Sequence, residues 1–211
     1  MRVPPLPKQV TGQTSVSAVP ENLELLYHVK PDDSVVGPVE RDRAHAEGIL
    51  HRSGMIFLVR SDGRMLIQRR NTAREPYPDS YDSSCSFHVT FGETYEAAAK
   101  RELNEETGVS APLTYLGKFT HNDPPENEMV AVFACNSDEQ VHTSKEEFSS
   151  AKFSTKEEVD KIIPGSAPWL RDGWQMAREK ILLIRFSARS YSLSVPLFSL
   201  LPATNSESGS S

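Results

Sequence analysis

The sequence predicts an α/β fold in which helices cover a central mixed β-sheet. Short apolar runs typical of strands alternate with helical patterns, without the strict strand–helix–strand repetition of a parallel sheet. Two apolar runs, 54–60 and 64–70, flank Asp62-Gly63, which is a strong hairpin signal. The clearest helix is Tyr95–Thr107, because strong helix formers fill it and good capping residues stand at both of its ends.

The remaining elements follow from apolar periodicity and from turn and cap residues. In chain order they are a hairpin from Leu23 to about Glu40 with a turn at Pro31-Asp32-Asp33, strands at about Ser86–Phe91, Leu113–Thr120, Met129–Cys135 and Ala151–Phe153, a helix from a cap at Ser154 or Thr155 to Ile163, and a helix over Trp169–Leu183. Residues 1–21 and 184–211 lack periodicity, so we expect a flexible leader and an irregular Ser-rich tail around one domain over 22–183.

Composition indicates a soluble globular protein and excludes several other classes. A net charge of −6 argues against a protein that coats a nucleic acid polymer, whose surface would be rich in Lys and Arg. Cys85 and Cys135 are too few for a disulfide framework and suit a reducing compartment. The apolar-leaning stretch 181–201 is interrupted by two arginines and a proline. We therefore expect a cytoplasmic protein that does not span a membrane.

Three glutamates on the central helix are the strongest chemical signal. Glu102, Glu105 and Glu106 stand at positions i, i+3 and i+4, so their carboxylates share one helix face. Taken alone, such a cluster is most often a solvated surface. Their mutual repulsion would be relieved by Mg²⁺ or Mn²⁺, which prefer oxygen ligands. Such ions bridge phosphate oxygens and lower the pKa of an attacking water.

The segment from Glu93 to Val109 resembles the Nudix box, G-x5-E-x7-R-E-U-x-E-E-x-G-U, in which U is aliphatic. The resemblance covers about residues 45–180 and implies an α/β/α Nudix sandwich that hydrolyses a diphosphate linkage in a small substrate, such as a nucleoside diphosphate joined to another group. It implies that all three glutamates are metal ligands and that Glu102 or Glu105 is also the base. The residues expected to support the loop–helix–loop geometry are Gly92, Glu93, Arg101 and Gly108.

One position departs from the box, because its first glycine falls on Phe87. In the family this glycine shapes the loop before the helix, and its carbonyl can be a metal ligand. A phenylalanine has less access to the backbone angles that glycine allows. We therefore expect altered activity, and a domain that binds a nucleotide-like ligand without turnover is an alternative.

Other segments resemble the isopentenyl diphosphate isomerases of the same superfamily; they are residues 43–52, 65–81, 126–128 and 168–174. This resemblance implies that Arg70 and Arg74 bind the diphosphate of the substrate. It also implies a metal site that draws on His88, Glu126 and Glu128, together with His45 and His51. For His45 and His51 we favour ordinary hydrogen-bonded or surface roles.

The same alignment favours hydrolysis over isomerisation. When the isomerase pattern is aligned on His88, its catalytic cysteine position falls on Ser86, and Cys85 lies one residue before that position. In a strand, a shift of one residue turns a side chain to the opposite face. Glu147, before a strand, is either a further metal ligand or base or a solvated loop charge. Trp169 and Trp174 are interpreted as packing residues. The sequence does not fix the oligomeric state, and the resemblance makes a homodimer one candidate because members of the family often dimerise.

Overall fold

A nine-stranded mixed sheet runs through the computed structural model, which describes residues 23–143 and 148–192. Its strands are β1 (Leu25–Val29), β2 (Val35–Glu40), β3 (His51–Val59), β4 (Met65–Arg70), β5 (Tyr81–Asp82), β6 (Cys85–His88), β7 (Leu113–Asp123), β8 (Glu126–Asn136) and β9 (Phe148–Ser154). Strands β3 and β8 pair in parallel, whereas the other named strand pairs are antiparallel. The predicted mixed sheet is therefore confirmed.

Helices cover both faces of this sheet. They are α1 (Arg41–Glu47), α2 (Tyr95–Thr107), α3 (Lys156–Ile162) and α4 (Pro168–Ser192), with a short 3₁₀ turn at Ile163–Gly165. Ala98 and Leu103 of α2 pack with the β3 side chain Ile56 on one face. Leu170 of α4 packs with Phe57, the next residue of β3, on the other face. Successive residues of a strand point to opposite sides, so β3 supplies both cores of an α/β/α sandwich.

All predicted strands and helices are present, and the main differences are that α1 and the two-residue strand β5 were not predicted and that α4 is longer. Helix α2 has the predicted ends, with the Thr94 side chain accepting from the backbone N–H of Ala97 and Gly108 in the left-handed region. Helix α1 was not predicted, since seven residues carry too little periodicity to reveal it. Helix α4 continues nine residues past Leu183, into part of the predicted tail, because no proline or glycine stands before Pro196.

Parts of three sequence predictions lie outside the described residues: the leader, the tail from residue 193 onward and Glu147. Within the ranges that the structure does describe, every helix is too short or too polar to cross a membrane.

Phe87, at the position of the first box glycine, fits this chain because a glycine faces it. Phe87 lies in β6 in register with Gly54 of β3, and its side chain is buried. A Cβ atom added at Gly54 would lie 2.5 Å from Cζ of the Phe87 ring. Phe87 is not among the described residues with a positive φ, so this strand needs no left-handed backbone there. The expected backbone conflict at Phe87 is therefore absent.

We predict that Gly54→Ala destabilises the protein by about 1–3 kcal/mol, because the new methyl group overpacks against the Phe87 ring. Urea denaturation would measure the free energy of unfolding. In the double variant Gly54→Ala, Phe87→Ala the ring clash is removed and the 3.2 Å approach to the Ala131 carbonyl oxygen remains, so the loss should be smaller than the sum of the two single losses. Gly37→Ala is the matched control in β2, since no atom lies within 4 Å of its added Cβ. An equal effect at Gly54 and Gly37 would contradict the prediction.

Candidate active site

One cavity of about 400 Å³ opens at the end of the sheet that carries the polar residues of β3, β6 and β8. Its wall also includes residues of α1, α2 and the start of α4. Three groups of side chains converge on it: a cluster of histidines and glutamates, two glutamates of α2, and three arginines.

The cluster gathers side chains from four separate elements. His45 of α1, His51 of β3, His88 of β6 and Glu126 of β8 each offer a ligand atom within 4.8 Å of the others. Nε2 of His88 lies 3.2 Å from Nε2 of His45 and 3.3 Å from Oε1 of Glu128. His45 Nε2 is also 3.7 Å from Oε2 of Glu126. The structure thus brings together all five residues implied by the isomerase resemblance, including the two histidines for which ordinary roles were favoured.

The protonation of this cluster suits a bound cation. His51 is fully buried; Nδ1 lies 2.8 Å from the carbonyl of Ile49, and Nε2 has no hydrogen-bond partner among the described residues. Donation from Nδ1 leaves Nε2 with a free lone pair, the arrangement found in metal-ligating histidines. Burial, helped by His88, lowers the pKa of His45 to about 4. Burial also lowers the pKa of His51. Both imidazoles are therefore neutral at pH 7, and each can offer a nitrogen lone pair to a cation.

The two carboxyl groups of β8 differ in their electrostatics. Burial and the neighbouring Glu128 raise the pKa of Glu126. For Glu128 burial acts in the same direction, but the hydrogen bond and the electrostatic interaction with His88 outweigh it and lower the pKa. Neutral imidazoles beside carboxylates form a set of nitrogen and oxygen donors that fits a divalent cation.

The predicted glutamates of α2 do not all face the cavity. Glu102 and Glu106 line it, and Glu106 is buried. Gln68 Nε2 lies 3.4 Å from Glu106 Oε2 and supports this carboxylate from the sheet. The side chain of Glu105 is 59% exposed, and its carboxylate accepts a hydrogen bond from Arg101. The role of Glu105 as a ligand or base stays a prediction.

The box residues expected to be supporting lie next to the ends of α2 or, in the case of Arg101, link its middle to the loop before it. Arg101 donates two hydrogen bonds of 2.9 Å to the carboxylate of Glu93, which ties α2 to the loop before it. Gly92 and Gly108 have φ values of 104° and 72°, a region that favours glycine.

Three arginines line the same cavity. Arg70 and Arg74 were predicted to bind diphosphate, and Arg41 at the start of α1 joins them. The sequence analysis missed Arg41 because no local motif relates it to the other two. Its position four residues before His45 was the available signal, since that spacing places both on one helix face.

Ser86 and Cys85 occupy the opposite faces that strand alternation predicts. Ser86 lines the cavity, whereas Cys85 is buried in the core beneath α2. Burial and the nearby Glu106 raise the pKa of the Cys85 thiol, so it is no nucleophile at neutral pH. Trp169 lines the cavity besides packing, which the interpretation as a packing residue did not include; Trp174 is in the core as expected.

Comparison with known proteins agrees with this architecture. Residues 49–173 match the family model of the NUDIX domain. The chain belongs to the Nudix family. An uncharacterized Nudix hydrolase of Pseudomonas aeruginosa is 32% identical over 156 residues, which cover 74% of this chain and 92% of that protein. A crystal structure of a Deinococcus radiodurans protein superposes with a TM-score of 0.58 at 29% identity and covers 68% of this chain and 91% of its own.

Two further relatives of this Nudix protein carry names that refer to isoprenoid diphosphates. An isopentenyl-diphosphate Delta-isomerase of Serratia proteamaculans is 36% identical over 107 residues, 51% of this chain and 60% of that protein. The chain thus spans less than two thirds of that isomerase. A prenyl-diphosphate phosphatase of Methanosarcina mazei is 28% identical over 157 residues, 71% of this chain and 92% of that protein. The domain and its hydrolase relatives support a pyrophosphohydrolase.

We predict that His88→Ala lowers the affinity for Zn²⁺ by at least about tenfold, because Nε2 of His88 is central to the cluster. Zn²⁺ is the probe because it prefers imidazole nitrogen as a ligand, whereas Mg²⁺ prefers oxygen. Competition with a chromophoric chelator would measure the affinity. His142→Ala, at an exposed histidine outside the cavity lining, should leave it unchanged. Equal affinities in the two variants would show that the cluster does not hold the ion.

Proposed function

We propose that this protein is a metal-dependent hydrolase that cleaves the diphosphate linkage of a small organic diphosphate. The observation that carries the proposal is the convergence of the histidine–glutamate cluster, Glu102, Glu106 and three arginines on one cavity. Each group supplies a different requirement of the reaction: cation binding, support of the nucleophile and binding of the anion.

The charge balance of the cavity supports a requirement for metal. Six glutamates and three arginines occur among the described lining residues. Without cations this wall is net negative and disfavours a diphosphate. Bound divalent cations invert the local sign of the field, and when bound they polarise phosphate oxygens and lower the pKa of an attacking water.

The two ligand groups suit different ions. Glu102 and Glu106 offer only oxygen, the preference of Mg²⁺ and Mn²⁺, whereas the three histidines favour a transition metal such as Mn²⁺ or Zn²⁺. In the proposed reaction Arg70, Arg74 and Arg41 bind the nonbridging oxygens of the diphosphate by charge-assisted hydrogen bonds. Glu102, whose side chain is 19% exposed, lines the same cavity and is the candidate base from the box helix.

Isomerisation of an isopentenyl-type diphosphate is the second candidate. It is favoured by the complete cluster of His45, His51, His88, Glu126 and Glu128 and by the similarity to the Serratia isomerase. Against it, the thiol of Cys85 lies in the core and Ser86 takes its place at the cavity. We therefore rank hydrolysis first. The substrate panel includes isopentenyl diphosphate and a longer prenyl diphosphate because relatives carry those names, beside nucleoside diphosphate compounds.

We predict metal-dependent release of phosphate or a monophosphate from at least one diphosphate of this panel with Mg²⁺ or Mn²⁺. Glu106→Gln and Glu102→Gln should each lower kcat at least about 100-fold, because each removes a carboxylate that faces the reacting group. Glu105→Gln should cost less, since this exposed side chain lies outside the cavity wall. Chelation by EDTA should abolish turnover, and added metal should restore it.

Glu139→Gln, at an exposed loop residue, is the control for the loss of one negative charge. Isomer formation without hydrolysis would replace the first candidate with the second. Turnover that is unaffected by EDTA, or by substitution of both Glu102 and Glu106, would refute the metal-dependent mechanism.

A further inference from the structure

Asp82 lies beneath the cavity and joins three parts of its wall. This residue of β5 is 1% exposed. Its Oδ1 accepts hydrogen bonds from Ser86 Oγ at 2.8 Å and from Trp169 Nε1 at 2.9 Å. Its Oδ2 accepts from Arg70 Nη1 at 3.3 Å. Ser86, Trp169 and Arg70 all line the cavity, whereas Asp82 itself is not part of the lining.

The hydrogen bonds around Asp82 fix which way the Ser86 proton points. The hydroxyl of Ser83 donates to the carbonyl of Cys85 at 2.7 Å, so its own proton is engaged. Ser86 Oγ lies 2.8 Å from Asp82 Oδ1 and 2.9 Å from Ser83 Oγ. Both neighbours can therefore only accept from Ser86. Its single proton is held inside the buried network, and its oxygen meets the cavity as a hydrogen-bond acceptor.

The position of Ser86 gives this acceptor a role. Ser86 and His88 are two residues apart in β6, so their side chains lie on the same face, and both line the cavity. A hydroxyl with a free proton would adapt to either a donor or an acceptor. The Ser86 oxygen, which can only accept a hydrogen bond from the cavity, instead favours a hydrogen-bond donor next to the cluster. In the proposed hydrolysis that donor would be the attacking water.

We propose that Asp82 is the positioning residue of this site: it holds Ser86 as an acceptor for the attacking water and holds Arg70 in place for the diphosphate. The proposal rests on the proposed hydrolysis for the role of Ser86, but not for the role of Arg70. The same carboxylate also fixes the Trp169 indole, over whose ring the Arg70 guanidinium lies at 5.1 Å. Arg70 is thus held by an ion pair at one side and by an aromatic face at another.

The test combines steady-state kinetics of Ser86→Ala, Asp82→Asn and the double variant. Ser86→Ala should lower kcat about tenfold and leave KM within about twofold, because only the water loses a partner. Asp82→Asn should lower kcat less than Ser86→Ala does, because its amide oxygen still accepts from Ser86 but is a weaker acceptor than a carboxylate. It should also raise KM about tenfold, because the amide NH₂ group then faces Arg70. The double variant should have the kcat of Ser86→Ala within about twofold, since without the hydroxyl the change at Asp82 no longer affects the water. Ser86→Thr, which keeps the hydroxyl, should retain most of kcat.

Asp160→Asn is a matched control, because Asp160 accepts from the Trp174 indole and from Arg178 outside the cavity lining. It should leave kcat and KM unchanged even where it lowers the melting temperature. Losses that multiply in the double variant, or Asp82→Asn kinetics equal to those of Asp160→Asn, would overturn the proposal. Ser86→Ala leaves Asp82 in place, so it decides the matter for Ser86 even if Asp82→Asn fails to fold.

A binding measurement separates failure of this proposal from failure of the proposed function. Calorimetry would follow methylenediphosphonate, which is not hydrolysed, in the presence of Mg²⁺. We expect Asp82→Asn to weaken its binding about tenfold and Ser86→Ala to leave it unchanged. If the wild-type protein binds this probe but hydrolyses no diphosphate, the proposed function fails, whereas the positioning of Arg70 is still decided. Equal binding by wild type and Asp82→Asn would refute it.

Discussion

The parallel pairing of β3 with β8 is the constraint on which the site depends. Nine consecutive residues of each strand are in register, and the pairing begins with His51 opposite Glu128. On the other edge of β3, Ser53 pairs with His88 of β6. These two pairings alone place His51, His88 and the carboxylate of Glu128 at one end of the sheet. A slip of one residue in either pair would turn the histidine and glutamate side chains of the cluster toward the opposite face, so the buried cores on both faces of the sheet fix their position.

This arrangement concentrates polar groups that would each be unfavourable if buried alone. His51 is fully buried, and Glu106, Glu126 and Glu128 are nearly so. Burial disfavours the charged form of an imidazole and of a carboxyl group, which is the main cause of the lowered pKa of His45 and the raised pKa of Glu126. A bound cation would offset the free-energy cost of this desolvation, because direct coordination replaces the lost contacts with water. These buried polar groups lie at the end of the sheet where the cavity opens.

The parts of the site that could be predicted from sequence are those held within one segment. Glu93, Arg101 and the glutamates of α2 lie within 14 residues, so spacing and helix periodicity were enough to group them. The cluster is different, because His45 and Glu126 are 81 positions apart and meet only through α1 and the sheet register. No local pattern predicts α1, and periodicity does not reveal that β3 pairs in parallel with β8. The exposure of Glu105 could not be predicted from the sequence either, since two carboxylates on one helix face can be covered to different extents by the rest of the fold.

Strand β6 shows how alternation assigns the two functions of a short segment. Its odd positions, Cys85 and Phe87, pack under α2, and its even positions, Ser86 and His88, line the cavity, which Phe87 also borders. Gly54 leaves space for the Phe87 ring, so the departure from the box is accommodated in the core beneath α2. The residues that bear on the reaction lie on the other face, where the hydroxyl of Ser86, held by Asp82, lies two residues before His88 of the cluster. A hydroxyl in this place can orient a proton donor but is a poor carbon acid–base group near neutral pH, which is the physical reason to rank hydrolysis above isomerisation.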